Sequence, residues 1–225
     1  NPRLEPNAWN STTLNDSDWQ AAALFQPASV PATAPMVQPN RIKQTIAAVT
    51  VQEVPAPGGG WLVDMGKNFV GWIELRLPPG TAGGQNLRVE YADAPPQANN
   101  RYMLYNQRDE YIPRAGAGQV VRSRFNYHGF QYVRITGLAQ QPAPADINGS
   151  MIRTDYQTAS GFESSNELMN QIYRTANWTY ENLTLGGYVV DCPTRERLGY
   201  GGDAGTSLEH GMFNFDTSAL YTKWL

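Results

Sequence analysis

The sequence is poor in cysteine and has no long apolar segment. Cys192 is the single cysteine among 225 residues, which excludes an intrachain disulfide and a cysteine-based metal cluster. No apolar run approaches the roughly 20 residues that a membrane-spanning helix needs, so we expect no membrane partner. One cysteine does not distinguish a cytoplasmic protein from a periplasmic or secreted one, and the compartment stays open.

The chain also lacks a strong excess of either charge. It has 17 basic and 20 acidic side chains and a net charge of −3. Proteins that bind nucleic acid or anionic lipid through electrostatics concentrate basic residues, and this balance indicates neither partner. Asn1-Pro2-Arg3 begins without Met or a signal-peptide pattern, and the helical pattern over 218–225 has no Gly or Asn cap. We therefore expect an internal piece of a longer protein.

Short strands are predicted from Gln44 to about Gly149. Apolar and polar side chains alternate from Phe69 to Leu77 and from Leu87 to Tyr91, with Gly/Pro-rich turns between such runs. Several strands without an intervening helical period indicate an antiparallel β-sandwich. The four prolines between Pro27 and Pro39 favour an extended connector before it.

A helical period follows the β pattern. Ser164 and Glu167 have the spacing of a capping box, Gly186-Gly187 is expected to end the first helix, and Asp203 to cap the second. Five apolar residues fall on one stripe of the first helix: Leu168, Ile172, Ala176, Tyr180 and Leu183.

These patterns divide the chain into three parts. We predict that residues 1–40 are the tail of a preceding domain with a linker. Residues 41–155 then form the β-sandwich domain, and residues 156–225 begin a helical domain. The fold class is mixed and multidomain.

Several aromatic residues of the β region have the chemistry to stack on sugar faces, namely Trp72, Tyr102, Tyr105 and Tyr127. Aromatic residues in a sandwich belong more often to its core. His128 lies among aromatic neighbours, where a histidine is more often structural than part of a site.

Residues 191–203 concentrate the charged chemistry of the chain, and we call them the acidic loop. They read Asp-Cys-Pro-Thr-Arg-Glu-Arg-Leu-Gly-Tyr-Gly-Gly-Asp. The proline ends any regular element before it, and the glycines permit close backbone approaches. The sequence therefore predicts a shaped polar loop that presents carboxylates.

The residues alone leave several interpretations of the acidic loop open. It can be a structural knot in which Asp191 pairs with Arg197, Glu196 forms a salt bridge and Asp203 caps a helix. It can supply hard oxygen ligands to a cation, although two arginines would repel the ion. A Cys192 nucleophile would lack a nearby base, and no Lys-Ser/Thr follows the glycines as in a phosphate-binding loop.

The acidic loop resembles the signature of the family-78 glycoside hydrolases, the bacterial and fungal α-L-rhamnosidases. Three further stretches are similar to the family's pattern and come in the family's order: residues 64–72, 125–133 and 165–168. The resemblance covers residues 40 to 225. It implies a β-sandwich followed by the first helices of an (α/α)6 barrel. It also implies inverting hydrolysis of terminal α-L-rhamnose from rhamnosides or polysaccharides, without a cofactor or a metal ligand.

The same resemblance implies roles for single residues. Glu196 matches the general acid that protonates the glycosidic oxygen, and a raised pKa is expected for it. Asp191 and Asp203 match carboxylates that hold the sugar, and Arg195 matches an arginine beside them. Tyr200 stands where the family usually has Trp and would form an apolar wall.

The general base that this chemistry also needs is expected outside the sequence. In the family the general base lies beyond the position of Leu225, so the chain alone is expected to be inactive. The rival hypothesis is a non-catalytic carbohydrate-binding or scaffolding protein, whose β-sandwich does the work and whose acidic loop is structural.

Overall fold

The structure is a computed structural model that describes residues 11–26, 29–31, 33–56, 58–95, 105–116 and 118–224. Within them, eight strands precede three α-helices, and a two-stranded hairpin lies between the first and second helix. The strands are β1 (Asn40–Ala47), β2 (Thr50–Glu53), β3 (Trp61–Arg76), β4 (Leu87–Ala92), β5 (Arg108–Tyr111), β6 (Val120–Arg122), β7 (His128–Thr136), β8 (Ile147–Thr154), β9 (Thr184–Leu185) and β10 (Tyr188–Val189). The helices are α1 (Glu167–Leu183), α2 (Gly201–Asn214) and α3 (Ser218–Trp224). None of these helices combines the length and apolarity that crossing a bilayer requires.

The β region is one antiparallel sheet organised around the long strand β3. Its order is β1-β8-β3-β7-β4-β5, and β2 and β6 also pair with β3. The first part of β3 pairs with β2 and β7, whereas residues 71–75 pair with β8. Because β3 changes partners along its length, the sheet curls over its own apolar face. The prediction of an antiparallel β region followed by helices is confirmed, and the β region is a curled sheet.

The concave face of the sheet holds the main core. The alternation predicted for β3 and β4 places Ile73, Leu75 and Val89 inside, because successive side chains of a strand point to opposite faces. The largest fully buried side chains of this core are Tyr91, Phe69, Phe130, Met65, Ile73, Leu75, Leu77, Leu87, Ile135, Ile147 and Met151.

Gly71 lies at the place where β3 changes partners. It pairs with His128 of β7 and with Met151 of β8. A Cβ atom at this position would overlap the carbonyl oxygen of Ser150. The curl of the sheet therefore depends on the absence of a side chain at residue 71.

We expect Gly71→Ala to lower the free energy of unfolding by about 3 kcal/mol, since the added methyl group must push two strands apart. Urea denaturation of the chain measures this change. Gly161→Ala is the control, because a Cβ there meets nothing within 4 Å, and its expected change is within about 0.5 kcal/mol. Equal midpoints for the two variants would contradict the role of Gly71.

Two predictions about α1 are wrong. The cap of α1 is Asn166, whose Oδ1 accepts from the Leu168 amide at 3.0 Å, whereas the Ser164 hydroxyl contacts the backbone of Asn166 instead. The helix ends at Leu183, and Gly186 and Gly187 form the turn of the β9–β10 hairpin with φ of 64° and 84°. Paired left-handed residues suit a two-residue hairpin turn.

The predicted apolar stripe of α1 is only half covered. Tyr180 is buried in a second cluster with Tyr156 and Phe215. Leu168 and Ile172 are 63% and 55% exposed. The C-terminal half of α1 therefore packs on the described chain, and the N-terminal half presents its apolar side chains outward.

Candidate active site

The acidic loop connects β10 to α2 and is closed by its own hydrogen bonds. The Asp191 amide donates to the Leu198 carbonyl at 2.9 Å, and the Leu198 amide donates to Asp191 Oδ1 at 3.1 Å. The Arg197 amide also donates to the Cys192 carbonyl at 3.2 Å. These bonds close residues 191–198 of the loop on themselves, and Glu196 lies within the closed part.

The loop lies directly against the sheet. A Cβ atom at Gly129 of β7 would lie 2.9 Å from Pro193 Cγ and 3.0 Å from Thr194 Cγ2, so glycine permits this close packing. The Gln107 side chain holds Gly129 from the other side, because it donates to the Gly129 carbonyl at 3.1 Å and accepts from its amide at 3.0 Å.

Arg197 fastens the loop to the segment before β7. Its Nη1 donates to Asn126 Oδ1 at 2.8 Å, its Nε donates to the Pro193 carbonyl at 3.0 Å, and its Cζ lies 4.6 Å from the centre of the Tyr127 ring. Its φ is 60°, which costs a residue other than glycine roughly 1–2 kcal/mol. Such conformations persist where the surroundings hold them, and they cluster at functional sites.

Three side chains of the loop meet at its tip. The thiol of Cys192 lies 3.3 Å from Asp191 Oδ2 and 3.1 Å from Glu196 Oε2, and one atom of each residue lies within 4.8 Å of the others. Arg195 Nε donates to Glu196 Oε2 at 2.8 Å. Its Cζ lies 5.5 Å from the centre of the exposed Tyr105 ring.

The predicted structural knot of ion pairs and helix capping is therefore only partly present in the loop. Glu196 forms an ion pair, and its partner is Arg195. Arg197 contacts Asn126 and Pro193, and the ion pairs of the described residues do not join it to Asp191. A cation could be held by the ligand atoms of Asp191, Cys192 and Glu196. The Glu196 carboxylate, however, is already hydrogen-bonded to the Arg195 guanidinium.

The environment of Asp191 favours its charged form. Burial alone would raise its pKa, but hydrogen bonds from the Cys192 and Leu198 amides, together with contacts to the Glu196 and Cys192 side chains, hold the pKa below its usual value. The pKa of Arg195 is raised, chiefly by its hydrogen bond to Glu196 and then by Cys192. The Glu196 side chain is 40% exposed in this chain.

Tyr200 and Asp203 lie where the loop enters α2. Tyr200 is the N-cap residue and is 47% exposed. The prediction that Asp203 caps the helix is wrong, because α2 begins at Gly201 and Asp203 lies in its first turn. A negative charge there is favourable toward the helix dipole. No described residue forms a hydrogen bond or ion pair with its carboxylate.

Two residues that contact the loop, Asn126 before β7 and Gly129 in β7, were not predicted as site residues from the sequence. Asn126 and Gly129 contact the loop across more than 60 residues of chain. The similarity of residues 125–133 to a family pattern was the one available signal. His128 is buried, with Nε2 at 3.2 Å from Asp109 Oδ1 and its ring stacked on Tyr91 at 4.0 Å, a structural position.

The aromatic residues proposed as sugar platforms differ in exposure. Trp72 and Tyr127 are half-buried against a small cluster that contains Val70 and Ile152. Tyr105 is exposed, and Tyr102 lies outside the described residues.

Two family models match successive parts of the chain. The bacterial alpha-L-rhamnosidase concanavalin-like domain matches residues 55–153. The bacterial alpha-L-rhamnosidase 6 hairpin glycosidase domain matches residues 157–225. Together they account for most of the chain.

Similar proteins carry the same name. An alpha-L-rhamnosidase of Formosa agariphila is 28% identical over 99% of this chain and 24% of its own length. The structure of alpha-L-rhamnosidase from Dictyoglumus thermophilum has a TM-score of 0.85 and 32% identity, over 97% of this chain and 25% of that one. The Streptomyces avermitilis alpha-L-rhamnosidase complexed with L-rhamnose has a TM-score of 0.85 and 27% identity, over 96% and 21%. The chain thus spans about a quarter of the length of these relatives.

Proposed function

Because the chain belongs to the bacterial α-L-rhamnosidase family, we propose that the whole protein is an inverting glycoside hydrolase. Its products would include terminal α-L-rhamnose, released from rhamnosides or from rhamnose-containing polysaccharides. The observation that carries this proposal is the placement of Asp191 beside Glu196 in a loop held on the sheet. In the whole protein, residues 41–155 would form the sandwich domain and residues 156–225 the first helices of an (α/α)6 barrel, after a preceding domain that ends within 1–40.

Glu196 is assigned the role of general acid. A general acid must reach the glycosidic oxygen with its carboxyl group. Glu196 lies beside Asp191 in the loop, and its Oε2 accepts a hydrogen bond from Arg195 Nε at 2.8 Å. Its side chain is partly exposed, so the carboxyl group is accessible to a substrate.

The sugar-binding role is assigned to Asp191, Arg195, Tyr200 and Asp203. A carboxylate accepts several hydrogen bonds in fixed geometry, which suits neighbouring sugar hydroxyl groups. The Asp203 carboxylate has no partner among the described residues and is available to a ligand. The exposed ring of Tyr200 at the start of α2 offers an apolar wall.

The general base is assigned to another part of the whole protein. Inversion needs two carboxyl groups about 6.5–9.5 Å apart, with a water molecule between sugar and base. Asp191 is too close to Glu196 for that arrangement. The separation of the Asp191 and Glu196 carboxyl groups is nearer to the roughly 5 Å found in retaining enzymes. The stereochemistry of the product therefore decides whether a distant base or Asp191 as nucleophile completes the reaction.

Proton NMR of the whole protein with an aryl α-L-rhamnoside tests the proposal. The β-anomer of L-rhamnose is expected first, and the α-anomer later by mutarotation, because water attacks the face opposite to the leaving group. First appearance of the α-anomer would assign the nucleophile to a close carboxylate such as Asp191. Absence of rhamnose release would overturn the function.

A non-catalytic carbohydrate-binding or scaffolding protein is the less favoured alternative. Such a protein does not require the acidic loop to be anchored, whereas this loop is bonded through Arg197 to the segment before β7 and is packed on Gly129 of β7. The match of residues 157–225 to a glycosidase domain also favours the enzyme.

A further inference from the structure

The Gln107 side chain replaces a strand at one position of the sheet. The described pairing between β4 and β7 begins at Tyr132 of β7, so Gly129 lies beyond the end of that ladder. There the Gln107 Nε2 donates to the Gly129 carbonyl at 3.1 Å, and the Gln107 Oε1 accepts from the Gly129 amide at 3.0 Å. Both residues are buried, and buried backbone groups need such partners. The Gln107 side chain therefore fixes the backbone of β7 at Gly129.

The position of Gly129 determines the position of the acidic loop. Pro193 and Thr194 pack so closely on Gly129 that a Cβ atom there would lie 2.9 Å and 3.0 Å from their side chains. Close-packed groups transmit a displacement instead of absorbing it. Glu196 follows Thr194 by two residues and lies in the part of the loop that its own hydrogen bonds close. A shift of the Gly129 backbone should therefore move the Glu196 carboxyl group.

The turn before Gln107 contacts the loop at a second point. Tyr105 and Asn106 have φ of 52° and 59°, and two successive left-handed residues other than glycine are unfavourable unless their surroundings hold them. This backbone brings the Tyr105 ring centre to 5.5 Å from Cζ of Arg195 in the loop. Gln107 holds the end of the turn through its side chain and through its carbonyl, which accepts from the Tyr91 amide at 3.0 Å. Gln107 is therefore the buried anchor of a segment that reaches the loop twice.

We propose that Gln107 is a positioning residue for the general acid. Its side chain fixes the backbone on which the acidic loop rests, and it thereby sets the reach of the Glu196 carboxyl group toward the glycosidic oxygen. Gln107 acts through Gly129 and takes no part in proton transfer. The inference rests on the proposed function for the role of Glu196, and it deepens that function by adding a residue of the β region to the catalytic machinery.

Gln107→Met in the whole protein tests the proposal, because methionine has nearly the volume of glutamine and forms neither hydrogen bond to Gly129. Turnover of an alkyl α-L-rhamnoside is expected to fall by about 10²-fold, the typical effect of misplacing a catalytic group by about 1 Å. Turnover of a nitrophenyl rhamnoside should fall by less than about threefold, since its leaving group departs without a proton from the acid. Steady-state kinetics on the two substrates measure this difference.

Hydrogen exchange followed by mass spectrometry gives a readout that does not depend on activity. The amides of Asp191, Arg197 and Leu198 are bonded within the loop, and a loop that has lost its support should open more often. Exchange over residues 191–198 is expected to be about tenfold faster in Gln107→Met than in the parent protein. Exchange over β1 and β8 should be unchanged, which separates a local effect from general destabilisation.

Gln131→Met is the matched control. Gln131 is a half-buried glutamine of β7, and its Nε2 donates to Asp64 Oδ1 at 3.0 Å and to the Tyr132 hydroxyl at 3.2 Å. The substitution again removes two hydrogen bonds, neither of which involves Gly129 or the acidic loop. Turnover of both rhamnosides and exchange over residues 191–198 should stay at the values of the parent protein.

Two further variants guard the test against a folding defect, which thermal unfolding detects. Gly129→Ala disturbs the same contact from its other partner, since the new Cβ would meet the Pro193 side chain at 2.9 Å. Gln107→Asn keeps an amide in the buried position but is one methylene shorter, so it cannot reach Gly129 in the same geometry. Both variants should show the leaving-group dependence and the faster loop exchange expected for Gln107→Met.

Unchanged loop exchange in the folded Gln107 variants, equal losses on both rhamnosides, or the same effects in Gln131→Met would overturn the positioning role. These outcomes differ from failure of the proposed function. A whole protein that releases rhamnose while its loop exchange is insensitive to Gln107 would refute only the role of Gln107. Faster loop exchange in a protein that releases no rhamnose would refute the enzyme and keep Gln107 as the support of the loop.

Discussion

Glu196→Gln in the whole protein is expected to lower turnover of an alkyl α-L-rhamnoside by about 10²–10⁴-fold, the usual contribution of a general acid. An alkoxide is a poor leaving group and needs the proton that the proposed general acid would supply. A nitrophenolate leaves without that proton, so the loss on a nitrophenyl rhamnoside should be far smaller. Steady-state kinetics on the two substrates measure the difference.

The leaving-group dependence makes this prediction specific to proton transfer. Glu209→Gln serves as the control, because Glu209 is exposed on α2 and should have normal turnover on both substrates. Equal losses on the alkyl and nitrophenyl rhamnosides would remove Glu196 from the acid role, since a residue that only binds sugar affects both reactions alike.

Arg197→Gly is expected to lower turnover of the alkyl rhamnoside by roughly 10²-fold, the typical effect of misplacing a catalytic group by about 1 Å. Glycine keeps the left-handed backbone at low cost, so the variant removes the contacts of the side chain to Asn126 and Tyr127. We infer that Arg197 positions the loop, so its loss should act through Glu196. Turnover of the nitrophenyl rhamnoside should therefore change much less.

Three measurements separate positioning from general destabilisation. The melting temperature of Arg197→Gly should stay close to that of the parent protein. Asn126→Ala, which removes the partner of Arg197 before β7, should show the same leaving-group dependence. Arg174→Ala is the control, because Arg174 is an exposed arginine of α1 that pairs with Glu167. A loss of equal size on both substrates, or a large fall in melting temperature, would show that Arg197 is merely structural.

Strands could be predicted where burial of one face makes apolar and polar residues alternate, as in β3 and β4. Strands without this alternation, such as β8 and β5, were missed. In β8, side chains on both faces are buried from Ser150 to Thr154, because β8 lies between β1 and β3 and is also contacted by α1, and alternation disappears. β5 is a short edge strand of four polar or aromatic residues, with no apolar run to mark it.

Local capping chemistry was misassigned for a different reason. Ser164, Asn166 and Glu167 are all competent at a helix start, and sequence spacing does not decide which oxygen reaches which amide. Gly186-Gly187 fits both a helix end and a hairpin turn, and the pairing of β9 with β10 selects the turn. The acidic loop itself was recognised from its residues, but its anchor was not, because Asn126 and Gly129 are brought to it only by the tertiary fold.

The contacts between the sheet and the acidic loop have a consequence for chain recombination among relatives. The two matched domains meet between residues 153 and 157, and a crossover there would appear neutral for folding. It would nevertheless separate Asn126 and Gly129 from Arg197, Pro193 and Thr194, which form one bonded unit. Chimeras should therefore exchange residues 126–129 and 191–197 together. The site is built from one segment of each matched domain, so neither domain carries it alone.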